Sequence, residues 1–359
     1  MYNSITLPTR MENLVYTEFK NIDLSDPFFD SLKEDYKEFG KWFEKKALTS
    51  DKAYILSDEG IQAFLYLKLE KEAITDVNPN LEPALRLKVG TFKVNPHGTR
   101  LGERFIKRIF DHAIKSGVSA IYVTAFEKHK QLINLLMAYG FERHGTKASE
   151  NGQETVLLKN LERSSTGILM NYPRFSTKNH KKFLLAIYPE YHTRLFPDSI
   201  LNNESFDIIQ DVSHTNSIHK IYVTSMDVSG LNPGDLLVIY RTGDGQAPAH
   251  YRAVVTSVCV VEEVKSKNDF SSLADFLRYC ETYSVFSADE LAEWYRDKKR
   301  LYVIKMLYNA AFGRRLTRGN LIENIGLNPN LRWNYFQLPD SQFDAIIQQG
   351  GIHENLIID

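Results

Sequence analysis

Val94-Asn95-Pro96-His97-Gly98-Thr99-Arg100-Leu101-Gly102 joins an alternating apolar strand to an amphipathic helix, and this junction decides the fold of the first half of the chain. The strand, Leu85 to Val94, sets apolar residues at alternating positions. The helix starts near Gly98 and carries Leu101, Phe105, Ile109 and Ala113 at four-residue steps, with Ile106 and Phe110 beside them. First-turn N–H groups have no intrahelical partner, and the helix dipole adds partial positive charge there. Two glycines and Thr99 allow a pyrophosphate to approach that turn closely. The stretch has neither a Gly-x-Gly-x-x-Gly nor a Gly-Lys-Ser/Thr pattern, so a plain strand–helix connection with a glycine-rich start is the other reading.

At 359 residues the chain has room for two domains, each with its own core. Its 43% hydrophobic and 25% charged residues fit a soluble globular protein, and a formal charge of −1 argues against a wholesale nucleic-acid coat while permitting a local basic patch. Cys259 and Cys280 lack metal-ligand spacing, which points to a reduced, cytoplasmic setting. No apolar run approaches the ~18 residues of a membrane span. The start has no charged segment followed by an apolar block, so no signal peptide is expected. The histidines are too scattered for a metal site, and no Gly-x-Ser-x-Gly elbow occurs.

Working outward, residues 14–20 read as a strand and Pro27–Lys46 as one helix, with Asp26 as its cap. Strands at 53–56 and 61–67 flank a turn at Asp58-Glu59-Gly60. After the motif helix, stopped by Gly117, come a strand at 120–124, a helix at 128–139 and a hairpin ending near Leu158. The order is that of a mixed α/β (α+β) unit with flanking helices. Residues 14–160 resemble the GNAT superfamily of acetyl-CoA-dependent N-acyltransferases, on the strand–loop–helix at Val94–Gly102, the strand at 120–124 and the helix ending in Tyr139-Gly140-Phe141. That family's loop reads Arg/Gln-x-x-Gly-x-Gly/Ala. Here His97-Gly98-Thr99-Arg100-Leu101-Gly102 keeps the last glycine, while Arg100 replaces the central one and the approach from Val94 is shorter.

Leu161 to about residue 215 reads as a connecting segment: polar Glu162–Gly167, then a basic and aromatic run with Arg174, Lys178, Lys181, Lys182 and Arg194. A β-rich region follows, with strands at 221–223, 236–240 and 251–264, the turn Pro233-Gly234-Asp235, a helix from Ser287 to Arg300 and another from Pro339 to Gln348. In the strand at 251–264, Ala253, Val255, Ser257 and Cys259 share a face. Residues 216–359 resemble the PUA-like group, above all its EVE and ASCH branches, on Pro233-Gly234-Asp235 with Tyr240-Arg241, the strand at 251–264 and Trp333–Leu338. The resemblance implies a small barrel that binds RNA or a modified base. Thr317-Arg318-Gly319-Asn320-Leu321-Ile322-Glu323 is a distant echo of the ASCH Gly-x-Lys-x-x-Glu-x-Arg signature. The expected organisation is 1–160 as the GNAT-like domain, 161–215 as the connector and 216–359 as the PUA-like domain.

The first resemblance implies acetyl-CoA as co-substrate. Its pantetheine would lie along the main chain of Phe92, Lys93 and Val94, and its pyrophosphate on His97, Gly98, Thr99, Arg100, Leu101, Gly102 and Glu103. Many members use a tyrosine four residues before the Gly-Phe pair as general acid, and that position here is Leu136. His129, Glu70, Glu72 and Tyr139 are the remaining acid–base candidates, each with a plainer reading: a surface histidine, a charged strand edge, a core tyrosine. In the second region Tyr240, Trp333, Tyr335 and Phe336 are candidates for a base-stacking pocket, and Arg241, Arg314, Arg315, Arg318 and Arg332 for phosphate contacts. Their plainer reading is core aromatics and a solvated basic face. The leading expectation is an N-acetyltransferase whose second domain recruits RNA or a nucleotide-bearing substrate. Two others stand beside it: a non-catalytic nucleic-acid-binding regulator using the first domain as scaffold or acyl-CoA sensor, and an acetyltransferase whose second domain only dimerises.

Overall fold

A computed structural model describes residues 12–95, 101–196, 208–211, 217–245 and 248–358, with backbone alone for 12–13 and 208–211. The strands of the first half are β1 (Glu12–Glu18), β2 (Lys52–Ser57), β3 (Ile61–Glu70), β4 (Arg86–Val94), β5 (Ala120–Phe126), β6 (Glu142–Ser149) and β7 (Gly152–Asn160). Between them lie α1 (Asp30–Asp35), α2 (Phe39–Ala47), α3 (Leu101–Ser116) and α4 (Lys130–Ala138). The chain then runs through the short α5 (Ile168–Asn171) into β8 (Lys182–Ile187), a strand of a second sheet. After α6 (Pro189–Leu195), β9 (Ile208–Asp211) returns to pair with β1. The first sheet has the order β6-β7-β5-β4-β3-β2-β1-β9, with β4 and β5 parallel and every other pair antiparallel.

Strand β3 shows how this sheet is covered on both sides, because successive side chains point to opposite faces. Phe64 and Tyr66 face an aromatic cluster with Phe19, Phe29, Phe39 and Phe43, while Ala63, Leu65 and Leu67 face the core built on α3. The segment expected as one helix from Pro27 to Lys46 is broken at Tyr36, whose backbone is extended. Its ring stacks on Phe126 at 5.1 Å and its hydroxyl donates to Glu154 at 2.7 Å, so tertiary contacts outweigh the helical periodicity.

The second sheet runs β10 (His219–Thr224), β13 (Tyr302–Ala311), β12 (Val254–Ser266), β11 (Leu236–Arg241), β8, β14 (Tyr335–Leu338), with β8 and β11 parallel. Helices α7 (Ala249–Arg252), α8 (Leu273–Glu281), α9 (Ala288–Asp297), α10 (Arg318–Glu323) and α11 (Asp340–Gln349) surround it. Ser287 and Glu290 form the expected reciprocal cap of α9. Three expectations change here. Among the described residues the sheet is open, since β10 and β14 are unjoined edges, so the closed barrel is not formed. The segment 161–215 is more than a connector: β8 is buried at every position and β9 extends the first sheet. The 317–323 echo of the ASCH signature is the whole of α10 with its N-cap, Thr317 bonding reciprocally with Asn320.

Strand β12 also departs from simple alternation. Its register against β11 shifts between Ile239 and Tyr240, opposite Thr256, and against β13 between Val258 and Cys259. These bulges leave Val255 and Val258 in one core and Cys259 and Val261 in the other, so Cys259 does not share the face of Ala253 and Val255. The two sheets meet across α3. Ile218 and Leu307 of the second half join the core under that helix, Glu103 accepts hydrogen bonds from Tyr283 at 3.0 and 3.2 Å, and Lys107 lies over the Tyr308 ring. No helix among the described residues is long and apolar enough to cross a membrane.

Candidate functional site

The parallel pair β4/β5 parts midway. Pairing runs from Arg86↔Ala120 to Val89↔Val123 and stops, while β4 continues against β3 and β5 against β7. The cause lies at Gly90. The β3/β4 register slips between Tyr66 and Leu67, leaving Gly90 in a bulge, and a Cβ there would sit 2.8 Å from the Tyr66 ring. From Gly90 to Val94 the β5-facing edge of β4 has no partner strand among the described residues. A groove of about 1060 Å3 opens there. Gly90–Asn95 form one wall, Val123–Ala125 the other, and Leu101, Gly102, Leu132 and Leu135 close one end. Gly102 has a packing reason as well, since a Cβ there would meet Leu135 Cδ2 at 2.9 Å.

His97, Gly98, Thr99 and Arg100 lie outside the described residues, as does the expected helix start at Gly98. The remaining expected coenzyme residues divide. Phe92, Lys93 and Val94 line the groove, and the Phe92 ring stacks on Phe105 at 6.1 Å. The Lys93 ammonium reaches Ser31 Oγ at 2.7 Å and the Phe28 carbonyl, and burial holds it below its ordinary value. Leu101 is buried core, and the Glu103 carboxylate is engaged by Tyr283 across the seam.

Of the acid–base candidates, only His129 reaches the groove. It caps α4, and its Nε2 lies 2.9 Å from Asp35, which Lys128 also contacts. Glu70 and Glu72 lie off it, because the strands part at the other end of β4, opposite Tyr66 rather than Glu70. Burial raises the Glu70 carboxyl, but bonds from Lys68 and Tyr122 outweigh this and leave it below its usual value. Tyr139 is buried away from the groove. Its hydroxyl lies 3.2 Å from His219 Nε2, and His219 Nδ1 lies 2.5 Å from Glu262. Leu136 is wholly buried in the core, and Leu132 and Leu135 face the groove instead.

Two groove residues escaped the sequence reading, Tyr36 and Glu154. Glu154 is 5% exposed and accepts the Tyr36 phenol, whose ionisation burial and that carboxylate push far up. They lie 118 positions apart, so no short spacing links them in sequence.

In the second half, the proposed stacking pocket is not assembled. Tyr240 is 2% exposed, its ring 5.3 Å from Trp333, which in turn lies 5.8 Å from Phe336. Tyr335 points through the opposite face of the sheet, stacked on Phe183 at 5.1 Å, because neighbours along a strand alternate sides. Arg318 lies over Trp333 at 4.6 Å and donates to the Pro329 carbonyl, which makes it part of this aromatic corner. Arg314 and Arg332 are exposed. Arg241 and Arg315 are different. Both are half-buried, burial and the charge of Arg241 hold Arg315 below its ordinary value, and both bear on His192. His192 is buried with Nε2 2.7 Å from Thr256 Oγ1 at the β12 bulge, and the nearby Thr242 hydroxyl is buried without a hydrogen-bond partner.

No protein-family model matches the chain, and no curated protein matches it. Among solved structures it is similar to ASCH from Zymomonas mobilis, at 9% identity, covering 47% of this chain and 94% of that one with a TM-score of 0.33. It is also similar to yncA of Salmonella typhimurium, described as a putative acetyltransferase with its cofactor acetyl-CoA, at 14% identity, covering 35% and 74%, TM-score 0.25. A third is the IAA acetyltransferase of Bacillus cereus, at 10% identity, covering 41% and 97%, TM-score 0.30.

The His192 imidazole carries a sign-definite consequence. Burial first, then Arg241 and Arg315, lower its pKa to about 3 from an ordinary 6.5. The unfolded chain therefore takes up this proton first as pH falls. His192 contributes stability fully above about pH 6.5, and that contribution is lost as pH falls toward 3. Urea unfolding followed across this window is expected to show a flatter slope for His192→Gln than for the native chain; equal slopes would remove His192 from the account.

Proposed function

We propose that the chain is an acetyl-CoA-dependent N-acetyltransferase whose second half binds nucleic acid or a nucleotide-bearing substrate. The observation that carries the first part is the unpaired edge of β4 from Gly90 to Val94, facing a groove that ends at the start of α3. An extended pantetheine amide chain is a fit for such an edge, because it offers the N–H and C=O groups of a missing strand. The N-terminal turn of α3 then faces the diphosphate, where unsatisfied N–H groups and the helix dipole favour negative charge.

Acetyl-CoA supplies an activated acyl group. An amine attacks the thioester carbonyl, a C–N bond forms, the C–S bond breaks, and the sulfur leaves to take a proton. The chain's own residues place the amine at the rim made by Asp35, Tyr36, His129 and Glu154, whose carboxylates attract an ammonium and whose aromatic neighbours Phe39, Trp42 and Phe126 exclude water. His129, held by Asp35, takes the proton the ammonium must lose before attack. Glu154 and Tyr36 orient the acceptor through their shared hydrogen bond.

Isothermal titration with acetyl-CoA tests the groove. Micromolar binding is expected, and Gly90→Val, which forces a side chain against Tyr66, is expected to weaken it about tenfold, or ~1.4 kcal/mol. No binding by the native chain would overturn the reading. His129→Ala is expected to leave that binding unchanged and to lower turnover of a primary-amine acceptor about 10²-fold, whereas equal turnover would assign the proton transfer elsewhere.

The nucleic-acid part rests on Arg241 and Arg315, two half-buried guanidiniums close together with no hydrogen bond or ion pair among the described residues. Cations so placed favour a phosphate between them. Buried Leu136 at the position of the family tyrosine favours the regulator reading, in which the first half serves as a scaffold or acyl-CoA sensor without turnover. RNA filter binding at two salt concentrations addresses it: Arg241→Glu with Arg315→Glu is expected to weaken binding and to flatten the salt slope by roughly 0.7 per lost phosphate contact. RNA binding that ignores both substitutions would overturn this assignment.

A further inference from the structure

A second cavity, of about 360 Å3, lies between the β6–β7 hairpin and the segment 163–174, and shares no lining residue with the groove. Its basic residues are Arg143, Lys159, Arg163 and Arg174, with His144 bonded to the Pro79 carbonyl, against one lining carboxylate, Glu142. Arg143 is already matched, by two bonds to Glu127 at 2.8 and 2.9 Å. The other three have no carboxylate within ion-pair distance among the described residues. Lys159 is 3% exposed, and its ammonium donates to two neutral carbonyls, Tyr139 at 2.6 Å and Met170 at 2.8 Å. Arg174 spends one N–H on the Arg163 carbonyl at 3.0 Å, while its Nε is buried with no acceptor. Arg163 is exposed at the mouth, and its guanidinium makes no hydrogen bond.

Three basic side chains therefore line one cavity with no paired carboxylate, Lys159 also lying 5.1 Å from the Phe110 ring centroid, and an anion entering beside Arg163 and Arg174 would supply the missing charge. Burial, then the charge of Arg174, pulls the Lys159 pKa down to about 7. Glu162 acts on Arg174 only from a distance. The space exceeds what one phosphate fills and falls within the range of small-ligand sites, roughly 300–1,000 Å3. Leu158 and Met170 offer apolar wall beside the amides of Asn160 and Asn171.

We propose that this cavity binds a phosphate monoester of nucleotide size, with Arg163 and Arg174 on the phosphate and Lys159 beneath it. The segment that makes its wall leads directly into the second sheet, where Tyr172 donates to the Tyr308 carbonyl and Asn309 to that of Pro173. A ligand here ties the hairpin of the first sheet to that joint.

Calorimetric titration with AMP, inorganic phosphate and adenosine tests the proposal without reference to acyl transfer. AMP is expected to bind at micromolar concentration, phosphate more weakly, adenosine not at all. Arg163→Gln, at an exposed position, is expected to weaken AMP at least about tenfold, and Arg174→Lys, which keeps the charge and loses the fork, to do likewise. Gly90→Val is expected to leave AMP binding unchanged, which separates this cavity from the groove. The proposal is overturned if AMP does not bind, if adenosine binds as well as AMP, if neither arginine variant alters affinity, or if Gly90→Val abolishes it.

Discussion

Helix α3 is covered on both sides, and the arrangement of both halves depends on it. Its apolar stripe, Leu101, Phe105, Ile106, Ile109 and Ala113, lies on the first sheet. Fully burying side chains of this kind contributes about 1.5–3 kcal/mol each. The opposite side, which a sequence reading would leave in water, carries Arg104, Lys107 and Arg108, all less than a tenth exposed. Burying cations is costly unless they are partnered. Lys107 meets Asp111 of the same helix at 2.8 Å and Arg108 meets that aspartate too, so α3 supplies its own counter-charge, while the second half covers Lys107 with the face of Tyr308. The same helix begins at the end of the groove, so the seam and the site share one rigid element.

A common geometry underlies the two halves. Each sheet is antiparallel apart from one central parallel pair, β4/β5 in the first and β8/β11 in the second. In each, a polar constellation sits toward the carboxyl end of that pair, as in open sheets where crevices form beyond the strand ends. A bulge adjoins each one, at Gly90 in β4 and at Thr256 in β12. Bulges bend a strand and leave a residue unpaired, and here they free backbone in one case and aim a hydroxyl at His192 in the other.

What was legible from sequence follows from which forces are local. Periodicity located α3 and the strand at 85–94, and an apolar run located the strand at 120–124, whose Ile121 and Val123 meet one core and Tyr122 another. Periodicity failed for Pro27–Lys46, where the anchoring of Tyr36 on Phe126 and Glu154 is set by residues far along the chain. It missed the role of 182–187, since a basic, aromatic neighbourhood conceals a strand buried on both faces. Phe92–Val94, expected from the family resemblance alone, line the groove. The rim formed by Tyr36 and Glu154, and the pairing of His192 with Thr256, were not legible, because no short spacing connects those residues. Tyr240 and Tyr335 were grouped by composition, but strand alternation sends them to opposite faces.

The path of the chain between the halves has a consequence for synthesis. Residues 182–187 are placed in the interior of the second sheet, yet 208–211 return to the outer edge of the first, in register with Glu12 to Val15. The edge of β1 therefore stays open while the chain emerges past the whole of the first half. An unpaired strand edge is a template for other strands, and contacts so distant in sequence form slowly. The first sheet cannot be completed as an independent unit on the ribosome: its last strand arrives only after the second sheet has received its first.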